Sequence, residues 1–379
     1  MAQLQESKSS IQRIFILAGE ASGDAYGGAL VRALLEAQPT LEIRCWGGDA
    51  LEAAGAKCLR HYRTIAFMGV WEVMKNARTI LRRFKECWAE IEEFQPDVLV
   101  GIDYPGFNLR MARKAKRIGI TTHHYISPSV WAWKKNRVRA IQRHIDQLHV
   151  ILPFEKEWYD REGVDVQWVG HPMLELIQIE AEPMATASHA KPKLLLLPGS
   201  RAQELQRILP VMIQTSRGLP QFEVVVAGAP GRTMSDYREA EKAGIPVEFG
   251  HTRTLMRSSD VGLVASGTAT LEAALLGLPH VLCYKTSIIT YAIARLLVQS
   301  HWIGLPNILL QNHVVPECIQ SKCNPRELRE SVLALHNGSK RSLKAEKQLK
   351  QFKELQRLLK SNPPASEQVA VSILSKQNQ

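Results

Sequence analysis

Ile14-Phe-Ile-Leu-Ala-Gly-Glu-Ala-Ser-Gly-Asp24 joins five apolar residues to a glycine loop, and a helical stretch follows to about Ala37. Leu194-Leu-Leu-Leu-Pro-Gly-Ser-Arg201 repeats the plan: an apolar run, a turn, the opening of a helix. Apolar runs of this length without alternation read as strands buried on both faces, as parallel strands are. Working outward from the first stretch, Glu42–Trp46, Val98–Ile102, Thr121–Ile126, Leu148–Leu152 and Val166–Val169 read as strands of the same series. Outward from the second, a helix over Gln203–Ser216 leads to strands Glu223–Ala227, Val261–Ala265 and His280–Tyr284, with a helix over Thr268–Leu276. Strands alternating with helices predict a doubly wound α/β sheet in each half. Glu180–Pro192 is polar and small with two prolines, and reads as a connection. The expected domains are 1–175, a linker over 176–192, a second domain over 193–325, and polar C-terminal helices over 326–379. Two Rossmann-like domains facing a cleft would take ligands at the carboxyl ends of their strands.

A chain of 379 residues is long enough for two buried cores. Its 45% hydrophobic and 22% charged residues exclude a disordered or fibrous chain. No apolar run reaches the roughly 18–20 residues of a membrane-spanning helix. Met1–Ser10 is polar, and the apolar run after it is too short for a signal peptide, so a cytoplasmic location is expected. Six cysteines without a CxxC pair read as reduced, buried thiols. The net charge is +11, and Arg60–Ile145 alone holds 17 basic against 7 acidic residues. That concentration suggests an anionic partner: nucleic acid, an anionic membrane, or a phosphorylated substrate. A merely solvated surface is the other reading.

Two loops can hold phosphate. Gly199-Ser200-Arg201 opens a helix, whose unpaired N–H groups and partial positive charge are joined by the Arg201 fork. Ser266-Gly267-Thr268-Ala-Thr270 also runs from a strand into a helix, with Glu272 one turn on, placed to accept from a ribose diol. Plain helix capping explains either loop alone. The loop at Gly19–Asp24 lacks Walker and dinucleotide spacing, and Glu20 and Asp24 would repel a diphosphate, so it suits a sugar hydroxyl. Asp103 follows the strand Val98–Ile102, where a carboxylate can act as general base toward a hydroxyl or cap the turn before Pro105. His123 and His124 alternate in one strand, so one faces the cleft and the other the core; His171 reads as structural. No residue cluster has metal-ligand spacing, so no metal is expected. From Phe67 to Trp88 an apolar stripe including Val70, Trp71 and Met74 is flanked by Arg78, Arg82 and Arg83. It suits either an anionic membrane or a core-facing helix with a basic outer side. Trp131 and Trp133 beside Lys134, Lys135, Arg137 and Arg139 repeat the theme, which also suits stacking on bases. No base-reading module accompanies them.

Gly-Glu-Ala-Ser-Gly-Asp (19–24), Gly-Ile-Asp-Tyr-Pro-Gly-Phe-Asn (101–108), His-Tyr-Ile-Ser-Pro-Ser-Val-Trp-Ala-Trp (124–133), Leu-Pro-Phe-Glu-Lys (152–156), Leu-Pro-Gly-Ser-Arg (197–201), Ala-Ser-Gly-Thr-Ala-Thr-Leu-Glu (265–272) and Leu-Pro-Asn (305–307) occur in this order. Together they resemble the lipid-A-disaccharide synthase family from about residue 13 to 320. Where that family usually has Pro-Glu-Leu-x-Gln, this chain has Pro316-Glu-Cys-Ile-Gln320, an apolar exchange. The resemblance implies a GT-B glycosyltransferase whose C-terminal domain holds UDP. It implies transfer from UDP-2,3-diacylglucosamine to 2,3-diacylglucosamine 1-phosphate, giving a β-1,6 disaccharide 1-phosphate with inversion and without a cofactor or metal. Asp103 would take the acceptor proton. Gly199, Ser200, Arg201, Ser266, Gly267, Thr268, Thr270, Glu272 and Asn307 would hold the nucleotide sugar. Glu20, Ser22, Gly23, Asp24, His124 and Ser127 would line the acceptor side. Both substrates being acylated, the resemblance further implies peripheral association with the cytoplasmic face of the inner membrane. The alternatives are another GT-B enzyme of UDP-sugars, such as an epimerase or an N-acetylglucosaminyltransferase, or a basic nucleic-acid-binding protein.

Overall fold

The computed structural model describes residues 11–64, 77–133, 136–179, 191–287, 291 and 301–375. It divides into two compact units, Met1–Leu176 with Lys360–Gln379, and Ile177–Leu359. The first is built on seven strands: β1 (Arg13–Ala18), β2 (Glu42–Gly47), β3 (Lys57–His61), β4 (Val98–Ile102), β5 (Thr121–Tyr125), β6 (Gln147–Val150) and β7 (Gln167–Trp168). All pair in parallel, in the order β3-β2-β1-β4-β5-β6-β7. The chain therefore winds outward from β1 to β3, returns, and winds the other way from β4. The reversal lies between β1 and β4, where the helices leaving neighbouring strand ends diverge and a ligand crevice opens. On one face of this sheet Phe15, Leu17 and Leu99 pack with Cys87, Ile91 and Phe94 of the helix Ala77–Phe94, and with Phe107, Met111 and Ala115 of the helix Pro105–Arg117. Ile14 and Ile16 alternate with Phe15 and Leu17 and are equally buried. That explains an apolar run without polar alternation.

The second unit repeats the plan with β8 (Lys193–Leu197), β9 (Glu223–Gly228), β10 (Val247–Phe249), β11 (Val261–Ala265), β12 (His280–Tyr284) and β13 (Glu317–Ile319), in the parallel order β10-β9-β8-β11-β12-β13. Here the reversal lies between β8 and β11. Leu194 and Leu196 join one core cluster, while Leu195 and Leu197 join the cluster on the opposite face. Both sheets are thus the doubly wound type the apolar runs predict. Three strands carry no apolar run of the expected kind. β3 is half-buried and includes Lys57, Arg60 and His61, and the short β10 and β13 lie at sheet edges.

The C-terminal helices do not form a separate layer. The helix Leu343–Leu359 belongs to the second unit, where Gln348 accepts from the His280 amide at 2.9 Å and donates to the His280 and Val314 carbonyls. The chain then returns to the first unit, and the helix Ala365–Leu374 packs on the helix Ala21–Ala37. The Ser366 amide donates to Glu175 at 3.0 Å, and Ser361 and Gln368 donate to the Val169 carbonyl. Val369 and Ile373 are fully buried, and two such side chains stabilise the fold by about 3–6 kcal/mol. A chain ending at Leu359 is expected to unfold roughly 6–24 °C lower in scanning calorimetry, at about 2–4 °C per kcal/mol for a unit of this size. A loss below about 2 °C would show that the returning helix adds no net stability.

Candidate functional site

The order reversals bring the sequence motifs to corresponding places. In the first unit, the loop at Gly19 leaves the carboxyl end of β1, and Asp103 leaves that of its neighbour β4. In the second unit, Gly199–Arg201 follows β8, and Ser266–Thr268 follows its neighbour β11.

Asp103 and Tyr104 are both left-handed, with φ of 47° and 44°. L-residues adopt this conformation at a cost, and such strain gathers where the surrounding structure enforces it. The Asp103 amide donates to the Tyr125 carbonyl at 2.9 Å, tying the turn to β5. The Tyr104 ring lies on Gly19, where a Cβ would collide with it; this close approach explains the glycine that opens the first loop. Burial raises the Asp103 pKa above the usual carboxylate value, and the Tyr104 backbone N–H partly opposes the rise. A carboxylate destabilised by its surroundings is a better proton acceptor than an exposed one.

Several other sequence-predicted residues of this unit turn out to hold its frame. Glu20 and Ser22, at the entry of the helix Ala21–Ala37, are partly exposed. Asp24 is buried, and its carboxylate accepts from the amides of Gly48 (2.7 Å), Ala50 (3.0 Å) and Leu51 (3.2 Å). It caps the helix Asp49–Ala53, and three of its carboxylate's hydrogen bonds are spent inside the fold. Gly23 is buried between Ala18 and the Ile102 carbonyl. His124 is fully enclosed, with Nδ1 against Gly101, and burial pushes its pKa down to about 4. It backs the Asp103 turn and does not face an open surface. His123 is also buried and meets His149 at 3.2 Å, so neither histidine of the strand reaches outward. His171 is buried and structural, accepting from the Met173 amide at 3.2 Å. The Ser127 hydroxyl is buried and is shared by Tyr159 OH (2.7 Å) and the Pro128 carbonyl (3.0 Å), so it ties the segment after β5 to the helix Pro153–Arg161.

Glu155 is a residue the sequence reading passed over. It is buried, accepts from Trp131 Nε1 (3.2 Å) and the Leu152 amide (3.0 Å), and has its pKa raised by burial to about 8. Through these bonds it fixes the entry of the segment from Trp131. Its only sequence signal was a glutamate at the third helical position, behind Pro153, where a carboxylate can reach back to the Leu152 amide.

The two helix openings of the second unit differ. At Gly199–Arg201 the amides of Ser200 and Arg201 both donate to Glu204 Oε2 at 3.2 Å, and Arg201 pairs with Glu204 Oε1 at 3.4 Å. Gly199 is left-handed, φ 104°, and a side chain there would strike the Glu204 carboxylate. The chain's own carboxylate thus fills the place predicted for a phosphate. What this loop presents outward is the Arg201 side chain, 60% exposed. At Ser266–Thr268, by contrast, no side chain caps the helix Thr268–Leu275, and Gly267 and Thr268 are exposed. The first amides of that helix are therefore open to an anion. Thr270 is buried and donates to the Gly267 carbonyl at 2.8 Å, shaping the loop instead of touching a ligand. Glu272 is oriented by Arg253 Nε at 2.6 Å. Asn307 is fully buried: its amide donates to Val315 O (2.8 Å) and Glu317 (2.9 Å), and its oxygen accepts from the amides of Val314 and Val315 (2.8 Å each). With donor and acceptor both satisfied, it holds the loop after Leu305 and does not reach a diphosphate.

Val70, Trp71 and Met74 lie outside the described residues. From Ala77 the helix turns Cys87, Ile91 and Phe94 into the core, yet Leu81 is 60% exposed, beside exposed Arg78 and Arg82. Arg83 is held by Glu86 at 2.8 Å, which lowers the Glu86 pKa. Arg110 lies over the Phe84 ring and Lys114 over Trp88, extending the basic face. Among the described residues no helix is long and apolar enough to cross a membrane, and no group of three or more His, Cys, Asp or Glu is placed to hold a metal.

The solved structures most like this chain include UDP-GlcNAc 2-epimerase from Neisseria meningitidis bound to UDP-GlcNAc, with a TM-score of 0.63, 14% identity, and coverage of 96% of this chain and 100% of that one. The glycotransferase of kitacinnamycin follows at 0.59 and 13%, covering 96% and 99%. At such identities the likeness is one of fold, GT-B-like. Sequence relatives are nearer. Lipid-A-disaccharide synthase of Syntrophus aciditrophicus is 37% identical over 96% of this chain and 97% of its own length. That of Pseudomonas fluorescens is 35% identical with the same coverage. The family profile described as lipid-A-disaccharide synthetase matches residues 14–371, and on these grounds the chain belongs to the lipid-A-disaccharide synthetase family.

Proposed function

We propose that this protein is an inverting glycosyltransferase that joins UDP-2,3-diacylglucosamine to 2,3-diacylglucosamine 1-phosphate, forming the β-1,6-linked disaccharide 1-phosphate and releasing UDP. One observation carries the reading. The two sheets reverse strand order at corresponding places, one presenting a desolvated carboxylate and the other a helix start without a side-chain cap, with an exposed arginine after the neighbouring strand. The first suits a hydroxyl nucleophile and the second a diphosphate leaving group. As the acceptor 6-oxygen bonds to the anomeric carbon, its proton passes to Asp103. The bond from that carbon to UDP breaks with its electron pair on the phosphate. A single displacement inverts the centre and needs no covalent intermediate. The amides opening the helix at Thr268, the Ser266 hydroxyl and the Arg201 guanidinium stabilise the departing charge without a metal. Glu272, held by Arg253, accepts from the ribose. Glu20 and Ser22 remain the acceptor-side polar groups with partly open surfaces.

The reading is tested with Asp103→Asn. Turnover is expected to fall by about 100-fold or more, the contribution of a positioned base, with UDP binding unchanged by calorimetry. Product is identified by mass spectrometry, with excess chelator present throughout. Turnover near wild type removes Asp103 from the role, and activity that needs added Mg²⁺ removes the metal-free account.

The substrates' acyl chains place the reaction at a membrane. We infer peripheral, salt-sensitive attachment to the anionic cytoplasmic face through the helix Ala77–Phe94, because Leu81, Arg78 and Arg82 are exposed together on its first turns. Each basic residue near such a surface contributes about 1 kcal/mol. Arg78→Glu with Arg82→Glu is expected to lower co-sedimentation with phosphatidylglycerol vesicles at low salt by roughly tenfold or more. Leu81→Asp should reduce the part that survives high salt. Undiminished binding of both variants contradicts the inference.

A further inference from the structure

Asn108 lies one turn into the helix Pro105–Arg117 and is 2% exposed. Its Nδ2 points at three backbone carbonyls: Asp103 at 2.7 Å, Ile102 at 3.2 Å and Leu17 at 3.3 Å. These sit at the carboxyl ends of β4 and β1, the pair at which strand order reverses. One side-chain NH2 group thus gathers the ends of both strands at the point where the Asp103 turn departs. The approach is close: a Cβ on Gly101 would stand 3.0 Å from Asn108 Cβ, so the residue two before Asp103 is glycine.

We propose that Asn108 is the positioning residue for Asp103, holding the left-handed Asp103–Tyr104 turn in the geometry that aims and shelters the carboxylate. The inference rests on the reading of Asp103 as the base. Two consecutive L-residues at positive φ do not stay there unaided. The amide of Asp103 is tied to β5, and the Tyr104 ring is laid on Gly19, but the Asp103 carbonyl is fixed by Asn108. Aspartate in its place would set an oxygen against three carbonyl oxygens, so the NH2 group is what the site requires. Once that bond is gone, the turn relaxes, the carboxylate shifts and water reaches it.

The test is a double-mutant cycle on the full chain, combining Asn108→Ala with Asp103→Asn. In the wild-type background, Asn108→Ala is expected to lower kcat roughly 10–100-fold, the effect of a small misplacement of a reacting group, with KM for both substrates within about threefold. In the Asp103→Asn background it should change kcat by less than about twofold, because a residue acting through another has nothing left to act on. The acid limb of the pH profile gives a second readout. The base works ionised, so kcat/KM rises with pH through its pKa. Burial holds that pKa up, and admitting water moves the limb to lower pH. Equal fold-losses in both backgrounds, or an unmoved limb, assign Asn108 a merely structural part and overturn the proposal. If Asn108→Ala no longer unfolds cooperatively, Asn108→Ser, which keeps a short donor, carries the same cycle. Full activity in Asp103→Asn alone overturns the base assignment, and this proposal with it; a strongly slowed but measurable Asp103→Asn with additive losses overturns this proposal only.

Discussion

Burial of both sheets on both faces is the constraint from which the rest follows. A strand such as Leu194–Leu197, with alternate residues in two separate cores, has no side chain to spare for chemistry. Polar work is left to the strand ends. Of those, the ends beside an order reversal are where departing helices diverge and leave room. Both units obey this, at β1 beside β4 and at β8 beside β11. The consequence is a division of labour: a carboxylate at one reversal, an anion-seeking helix start at the other.

Strand ends must also be held together, and most polar residues near them are spent on that. Asp24 caps a helix 24 residues further on, Asn307 satisfies a loop with every polar atom it has, and Thr270 folds its own turn. Glu204 is the most consequential of these. It engages the Ser200 and Arg201 amides that lead into the helix after β8, whereas no carboxylate does this before the helix Thr268–Leu275. An anion meeting the second unit finds the Ser200 and Arg201 amides already held by Glu204, and a helix start at Thr268 that no side chain caps.

The architecture was largely legible because parallel strands announce themselves as unbroken apolar runs, as at Ile14–Ala18, Val98–Ile102 and Val261–Ala265. β3 was not, since an edge strand with Lys57, Arg60 and His61 carries no such run. The return of Ala365–Leu374 to the first unit was invisible too: an amphipathic pattern says that a face is buried, not against which partner. Within the site, the position of Asp103 could be read from the strand it ends. Its left-handed turn could not, because that conformation depends on Tyr125 of another strand and on a side-chain bond from Asn108 that the motif's spacing does not announce. Asp24, Ser127 and Asn307, whose hydrogen bonds run inside the fold, show a related limit. A polar residue in a motif advertises a hydrogen bond, but the sequence does not say whether the partner is a ligand or a distant backbone amide. The return of Glu204 onto the Ser200 and Arg201 amides, by contrast, was there to be read in the three-residue spacing from Arg201.

The account stands on a carboxylate that the fold desolvates and strains into place. The direct measurement is the titration of that group: the carboxyl infrared band of wild type minus Asp103→Asn, followed from about pH 3 to 8. The account predicts a protonated acid that persists above the ordinary aspartate pKa of about 3.9, as burial dictates. Titration at or below that value would show an exposed, unstrained carboxylate and contradict the role given to Asp103.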